Sequence, residues 1–278
     1  MFYFYASHAN TVTMHERYFN RKLYFDEQAH TTRRFVIPYI EQVKKIDANS
    51  RVLEIGCGEG GNLQPFAALQ CECVGIDLDP HRIRIARETF LATPTVRLPH
   101  FIHKNIYDTA VDETGTFDVI MMRDVIEHIP DQEKFMAFVK KFLKDDGVMF
   151  FGFPPWQMPF GGHQQISSVK WIRRAPYLHL LPMGIYTALL KKSGETRENI
   201  NEFTDIKKTG ISMERFEKAV IQAGYHFKLK TPYFINPNYE IKFKLKTRKK
   251  IPVLGDIPIL RNFVTTCLYA VIAKNKTK

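Results

Sequence analysis

From residue 51 to residue 153 the chain alternates short apolar runs with stretches of helical period. The runs RVLEI (51–55), CECVGID (71–77), FDVIMM (117–122) and GVMFFGF (147–153) are rich in β-branched and aromatic residues, the pattern of strands buried on both faces. Between them, Gly61-Asn62 opens onto Pro65, Phe66, Ala67 and Leu69. Asp79-Pro80 reads as an N-cap followed by proline in the first turn of a helix through HRIRIARETF. After Pro130, Phe135, Phe138, Val139 and Phe142 recur at i, i+3, i+4 and i+7. Asp145-Asp146-Gly147 predicts the end of that helix, with Gly147 in the left-handed position. Residues 212–225 predict a helix capped by Ser212, burying Met213, Phe216 and Val220 and ending at Gly224. Residues 226–230 and 265–274 predict two closing strands.

Alternating strands and helices predict an α/β fold, a largely parallel sheet with helices on both faces, whose ligands bind beyond the carboxyl ends of the strands. Four segments follow. Residues 1–50 form an N-terminal helical cap and 51–153 the core. Residues 154–211, opening with PPWQMPFGG, form an inserted substrate cap or lid. Residues 212–278 complete the core and carry a basic insertion at 231–264. Insertions of this length serve as lids or binding elements more often than as core.

Composition narrows the class. With 278 residues, 45% hydrophobic and 25% charged, the chain is neither disordered nor fibrous. No apolar run reaches the roughly 18 residues needed to span a bilayer. The start, MFYFYASHAN, lacks the basic flank and long apolar core of a secretory signal, so a soluble, cytoplasmic protein is expected. Cys57, Cys71, Cys73 and Cys267 form no CxxC pair, which argues for reduced thiols rather than a zinc knuckle or disulfide framework, with Cys71 and Cys73 on one strand face. The net charge of +11 favours an anionic partner (nucleic acid, membrane surface or acidic metabolite) or simply solubility, without choosing among them.

The densest chemistry lies in VLEIGCGEGG, residues 52–61. Gly56, Gly58 and Gly61 satisfy GxGxxG between a strand and a helix, and Asp77 ends the next strand, the arrangement of a dinucleotide site. Two carboxylates argue otherwise. Glu54 and Glu59 place negative charge where a pyrophosphate would sit, so a cationic ligand suits the loop better. Glu54, Gly56, Gly58 and Gly60, with VGIDLD (74–79), NIYD (105–108), FDVIMMRDVIEHIPD (117–131) and LKDDGVMFFGFP (143–154), resemble the motifs of class I S-adenosylmethionine-dependent methyltransferases.

That resemblance implies a Rossmann-like, seven-stranded, mostly parallel sheet and S-adenosylmethionine as cofactor, held by residues 51–153. It implies that Glu54 holds the methionine amino group and that Gly56, Cys57, Gly58 and Gly60 bring bare backbone against the ligand. Asp77 would accept both ribose hydroxyls, with Leu78 beside it; Asn105 and Ile106 would flank the adenine; Arg123 would line the methionine end. No metal is called for.

Methyl transfer from a sulfonium is an in-line displacement, for which an enzyme mainly supplies alignment and a dry site. A hydroxyl acceptor also needs a base. Asp124 and His128, four apart, are candidates for one helical face. His163, in the loop GGHQQ, is expected at the mouth, and Tyr24 and His30 belong to a segment able to close over the site. The EHIPD stretch (127–131) resembles the small-molecule O-methyltransferases of quinone biosynthesis. Phe153-Pro154-Pro155-Trp156 resembles the [DNS]PP[YFW] signature of amino-methylating enzymes, but it starts with Phe and follows the fifth strand, so it is read as an aromatic pocket wall.

IKFKLK (241–246) alternates apolar residues with lysine, which as a strand gives one apolar and one cationic face: a solvated edge, or a dock for an anionic acceptor or membrane. YLHLLPMGIYTALL (177–190) suits an interface or a lipid-like acceptor pocket. The expected activity is methyl transfer to a hydroxyl of a small molecule, hydrophobic or anionic, with peripheral membrane contact. The rival readings are an RNA or protein methyltransferase and a cofactor-binding or membrane-docking module without turnover.

Overall fold

The computed structural model describes residues 20–93 and 97–275. Eight strands form one sheet: β1 Arg51–Ile55, β2 Glu72–Asp77, β3 His100–His103, β4 Phe117–Arg123, β5 Leu143–Phe153, β6 Tyr225–Ile235, β7 Arg248–Lys249 and β8 Cys267–Lys274. Their order is β3-β2-β1-β4-β5-β8-β6-β7. The first five in that order pair in parallel, β8 is antiparallel to β5, and β6 is antiparallel to β8. Seven of these make the implied Rossmann-like sheet. The eighth, β7, is a two-residue edge strand on β6.

Successive residues of the central strands bury opposite faces. Leu53, Ile55, Ile120 and Met122 pack with Phe135, Val139, Phe216 and Val220 of helices Gln132–Val139 and Met213–Gln222. Val52, Val119, Met121 and Phe150 pack on the other side with Val36, Ile40, Phe66, Ile83 and Phe90, from the helical stretch 21–40 and helices Gln64–Ala68 and Pro80–Leu91. The local signals behave as chemistry requires. Asp79 accepts from the backbone of His81 and Arg82, Ser212 from that of Arg215, and Gly224 ends its helix at φ +76°. All four cysteines are free and buried.

Two readings need correction. Gly147 is not a helix stop. The helix after Pro130 ends at Val139, a 3-10 turn covers Lys140–Phe142, and β5 already begins at Leu143. The register jumps from Phe117 opposite Leu143 to Val119 opposite Val148, a bulge that turns Asp145 and Asp146 outward to Lys274 (3.0 Å) and Lys44 (2.8 Å). A Cβ on Gly147 would lie 2.8 Å from the Phe117 carbonyl oxygen. Nor is IKFKLK a strand. Asn238–Phe243 is a helix closed by Lys244 in the left-handed conformation, φ +57°, so the alternation of apolar and basic residues never lies along a pleat.

The insertion carries its own core. Ile172, Tyr186, Leu190 and Phe203, from helices Lys170–Arg174, Met183–Lys192 and Arg197–Thr209, are buried together. Of the apolar run 177–190, Tyr186 and Leu190 are buried there with Leu178 and Leu181 packed against them, while Tyr177 and Ile185 stay exposed. The Trp156 ring packs within this same segment: it meets His179 edge-on at 4.6 Å, leaves no space for a Cβ on Gly210, and has the Lys207 ammonium 5.4 Å from its centre. Among the described residues no helix is long and apolar enough to cross a membrane.

Because Ile172, Tyr186, Leu190 and Phe203 form a separate core, Phe203→Ala is expected to cost about 3–5 kcal/mol of the stability of residues 170–209. Hydrogen exchange should rise over residues 170–209 before it rises in β1, β4 and β5. Equal loss of protection in the sheet would show that cap and core open as one unit.

Candidate functional site

Strand order reverses between β1 and β4, and the glycine loop leaves the carboxyl end of β1 at that crevice. The backbone N–H groups of Gly56 and Cys57 donate to the Ile76 carbonyl (2.8 and 3.1 Å), which ties the loop to β2. Gly56, Gly58 and Gly60 adopt φ of +72°, +52° and +81°, a region that favours glycine. At Gly56 a Cβ would also strike Val125 at 2.6 Å. Gly61 lies directly under helix Arg21–Thr31, where a Cβ would be 2.8 Å from the Phe25 carbonyl oxygen.

Asp77, at the tip of β2, accepts from the Gly58 N–H through Oδ2 (2.7 Å) and from the Asp79 N–H through Oδ1 (2.9 Å). Its carboxylate is half-buried, and Leu78 beside it is 66% exposed. Asn105 follows β3 and caps the short turn Ile106–Asp108, its Oδ1 accepting from the Tyr107 N–H at 3.1 Å. The Ile106 side chain turns into the core, so only its backbone reaches the crest.

Glu54 is fully buried. Its Oε1 accepts from Asn62 Nδ2 at 2.8 Å, while Oε2 has no hydrogen-bond partner. Burial pushes this carboxyl up to about 8, against the pull of Asn62 and of the Arg123 charge. Asn62 is the hub of the network: its Oδ1 accepts from Arg123 Nη1 (2.9 Å) and from Thr32 Oγ1 (3.0 Å). With the Asn238 amide oriented to satisfy its neighbours, its oxygen accepts from Arg123 Nη2 (3.3 Å) and Lys242 Nζ (3.0 Å). Arg123 therefore braces the pocket from within. The charge of Glu59 is met by Arg21 at 2.6 Å, not left for a ligand.

Asp124 does not share a helical face with His128. It sits at φ +55° with its N–H bonded to the Gly152 carbonyl (2.8 Å), and only a single 3-10 turn, Ile126–His128, follows. Its carboxylate lies 3.9 Å from Arg123 Nε. Tyr24 comes down on this group from helix Arg21–Thr31. Burial, then the charges of Asp124 and Glu54, push its phenol up to about 12, with Arg123 and Arg82 opposing. His30, on the same helix, is half-buried.

His128 and His163 meet edge-to-face with ring centres 5.1 Å apart. The GGHQQ loop is anchored, since Gln164 donates to the carbonyls of Pro159 (3.3 Å) and Ala175 (3.0 Å). Burial brings His163 down to about 3, with His128 and His179 adding to the effect, and burial lowers His128 while Asp124 opposes. A cavity of about 470 Å³ opens beside His128, bounded by Pro130 and by Glu202, Asp205, Ile206 and Thr209 of helix Arg197–Thr209. The structure thus gathers Glu54, the glycine loop, Asp77, Arg123 and Asp124 at the carboxyl ends of β1, β2 and β4, with His128 in the turn after β4 and His163 in the loop after β5. Sequence reasoning missed Asn62, Thr32 and Asn238. Of these only Asn62 carried a local signal, a polar residue directly after the glycines and ahead of an apolar helix.

The profile of a methyltransferase domain matches residues 27–181, more than half of the chain. The ubiquinone biosynthesis O-methyltransferase of Xanthomonas oryzae pv. oryzae (strain PXO99A) is 31% identical over 103 residues, 37% of this chain and 42% of that protein. The enzyme of that name from Bartonella quintana (strain Toulouse) is 29% identical over 134 residues, covering 46% and 52%. The chain thus spans about half the length of the curated relatives it matches. Among solved structures, the plantazolicin methyltransferase BpumL with a triazolic desmethylPZN analog and SAH superposes at a TM-score of 0.56, with 14% identity over 93% of this chain and 88% of that one. Magnesium protoporphyrin IX methyltransferase (ChlM) from Synechocystis PCC 6803 gives 0.53, with 12% identity over 92% and 88%.

Glu54 generates a pH prediction. In the folded chain it keeps its proton up to about pH 8, whereas in the unfolded chain it releases it near the ordinary value of 4.5. The unfolded state therefore binds fewer protons between these limits, and stability falls as pH rises from about 4.5 to about 8. Glu54→Gln should flatten that part of the stability curve in thermal melts taken across the window. Parallel curves for the two proteins would place the loss at another group.

Proposed function

This chain belongs to the methyltransferase-domain family, and we propose that it transfers a methyl group from S-adenosylmethionine to a hydroxyl of a small-molecule acceptor. The observation that carries the reading is the buried Glu54 carboxyl, one oxygen unpartnered, beneath a loop of bare glycine backbone. A buried carboxylate without a counter-charge is costly, and a ligand ammonium is the group that relieves it. S-adenosylmethionine, when bound, supplies a methyl group activated by a positive sulfur.

The residues divide the remaining work. Glu54, oriented by Asn62, holds the amino group, and Arg123 keeps Asn62 in place from behind. Asp77 retains lone pairs beyond its two backbone bonds, enough for a pair of ribose hydroxyls. Asn105 and Leu78 bound the base. Helix Arg21–Thr31, with Tyr24 over the crevice, excludes water. The acceptor enters from the cavity beside His128, so its hydroxyl meets the His128–His163 edge, where both imidazoles are neutral and offer lone pairs.

Residues 154–211 and the helix Asn238–Phe243 act as the substrate cap, one roofing the cavity and the other placing the Lys242 ammonium 5.8 Å from the Tyr24 ring. The names of the curated relatives support oxygen as the acceptor atom. Exposed Val253, Leu254, Ile257, Ile259 and Leu260, next to the basic stretch 244–250, favour delivery of a hydrophobic acceptor at an acidic lipid surface.

Asp77→Ala should weaken S-adenosylmethionine binding by about 10- to 150-fold, the equivalent of the roughly 1.5–3 kcal/mol typical of hydrogen bonds to a charged group. Unchanged affinity in calorimetry rejects the ribose assignment. Labelled-methyl transfer into lipid-soluble and water-soluble hydroxylated acceptors should fall at least about 100-fold in His128→Ala and His163→Ala, with cofactor affinity retained. Full turnover in both variants would move the acceptor away from this edge.

A further inference from the structure

We propose that Glu127, His128 and His163 form a binding site for a divalent transition-metal ion at the acceptor end of the crevice. The inference depends on the reading above for what the ion would do there, and not for the binding itself. One carboxylate oxygen and two imidazole nitrogens lie within 4.8 Å of one another. Glu127 and His128 come from the single turn after β4, and His163 comes from the anchored loop of the cap.

The state of Glu127 points to a ligand. The side chain is only 3% exposed, and neither of its carboxylate oxygens has a hydrogen-bond partner. A carboxylate in that position is normally bonded to a donor or to a metal. The imidazoles beside it do not bond to it; they stand ready at slightly more than bonding range of a common centre. His163 is moreover held at φ +57°, a conformation a side chain-bearing residue seldom adopts, and Gln164 fixes the loop in that form.

Geometry and chemistry select the ion. Tetrahedral donors about 2.1 Å from a metal stand ~3.4 Å apart, so a small inward rotation of the exposed His128 and half-buried His163 completes the set around the buried carboxylate. Two imidazoles and one carboxylate suit zinc, cobalt, iron or manganese, whereas magnesium and calcium favour oxygen donors. Three protein ligands would leave coordination positions open, and one of them, His128, also lines the neighbouring cavity. Asp124 is near enough to act electrostatically on both Glu127 and His128, which places a further negative charge on the rim of the site. An acceptor hydroxyl bound at an open position would surrender its proton to water more readily, leaving an oxygen nucleophile aligned with the crevice. The expectation of a metal-free site, drawn from the cofactor chemistry alone, does not consider this cluster.

The test uses the full chain stripped with a chelator and titrated with Co²⁺, followed by calorimetry and visible absorption. One equivalent should bind, with ligand-field bands of nitrogen and oxygen donors, and Zn²⁺ but not Mg²⁺ should displace it. Glu127→Gln, which keeps the shape of the side chain, and His163→Ala should each weaken Co²⁺ binding at least about 100-fold while S-adenosylmethionine still raises the melting temperature. Absence of the one-equivalent site, or equal Co²⁺ affinity in both variants, overturns the proposal even where S-adenosylmethionine binds normally. Failure of S-adenosylmethionine to bind the unaltered chain is a separate result, which overturns the cofactor reading.

Discussion

A single buried carboxyl constrains the upper surface of this protein. Glu54 lies where β1 ends, out of reach of water, with Asn62 satisfying one oxygen and Arg123 placed one residue farther away behind Asn62. Had Arg123 paired with Glu54 directly, the pocket would be internally neutralised and closed to an ammonium ligand. Interposing an amide keeps the guanidinium near enough to support the carboxyl and far enough to leave an oxygen free. The positive-φ glycines, the Gly58–Asp77 bond and the buried Tyr24 phenol, which feels the Glu54 charge, surround that unpartnered oxygen's strand end.

The same hub explains how distant segments come to share one crevice. Thr32 reaches Asn62 from the π-helical stretch Thr32–Val36, and Asn238 reaches Arg123 from the far end of the chain. Arg21 closes on Glu59 and Arg34 on Glu240, so the N-terminal helix is joined both to the loop beneath it and to the helix Asn238–Phe243 beside it. The surface ion pairs contribute little singly. Their effect is to fix the register of a helix whose main anchorage is apolar, through Val36, Ile37 and Ile40.

What could be read from the linear chain was local. The glycine loop, the Asp79 and Ser212 caps and the doubly buried strands follow from backbone sterics, short hydrogen bonds and uninterrupted apolar runs, all within a few residues. The readings that failed were ones that depended on partners elsewhere. Gly147 resembles a helix stop until β4 pairs with β5 and demands a bulge there. Lys242 in IKFKLK looks solvated until Asn238 and Tyr24 surround it. The four-residue spacing of Asp124 and His128 suggests a helix, but the strand end twists Asp124 into a left-handed conformation first. β3, only four residues long with two of them histidine, has too little period to register.

The separately packed insertion has a consequence for how such a chain diversifies. Ile172, Tyr186, Leu190 and Phe203 close a core that shares no side chain with either face of the sheet. Drift within that unit can reshape the wall of the cavity beside His128 without altering a side chain of the glycine loop or of the strand ends. On the function proposed above, selection retunes which molecule is modified as if exchanging a cassette, with the nucleoside-holding half inherited intact.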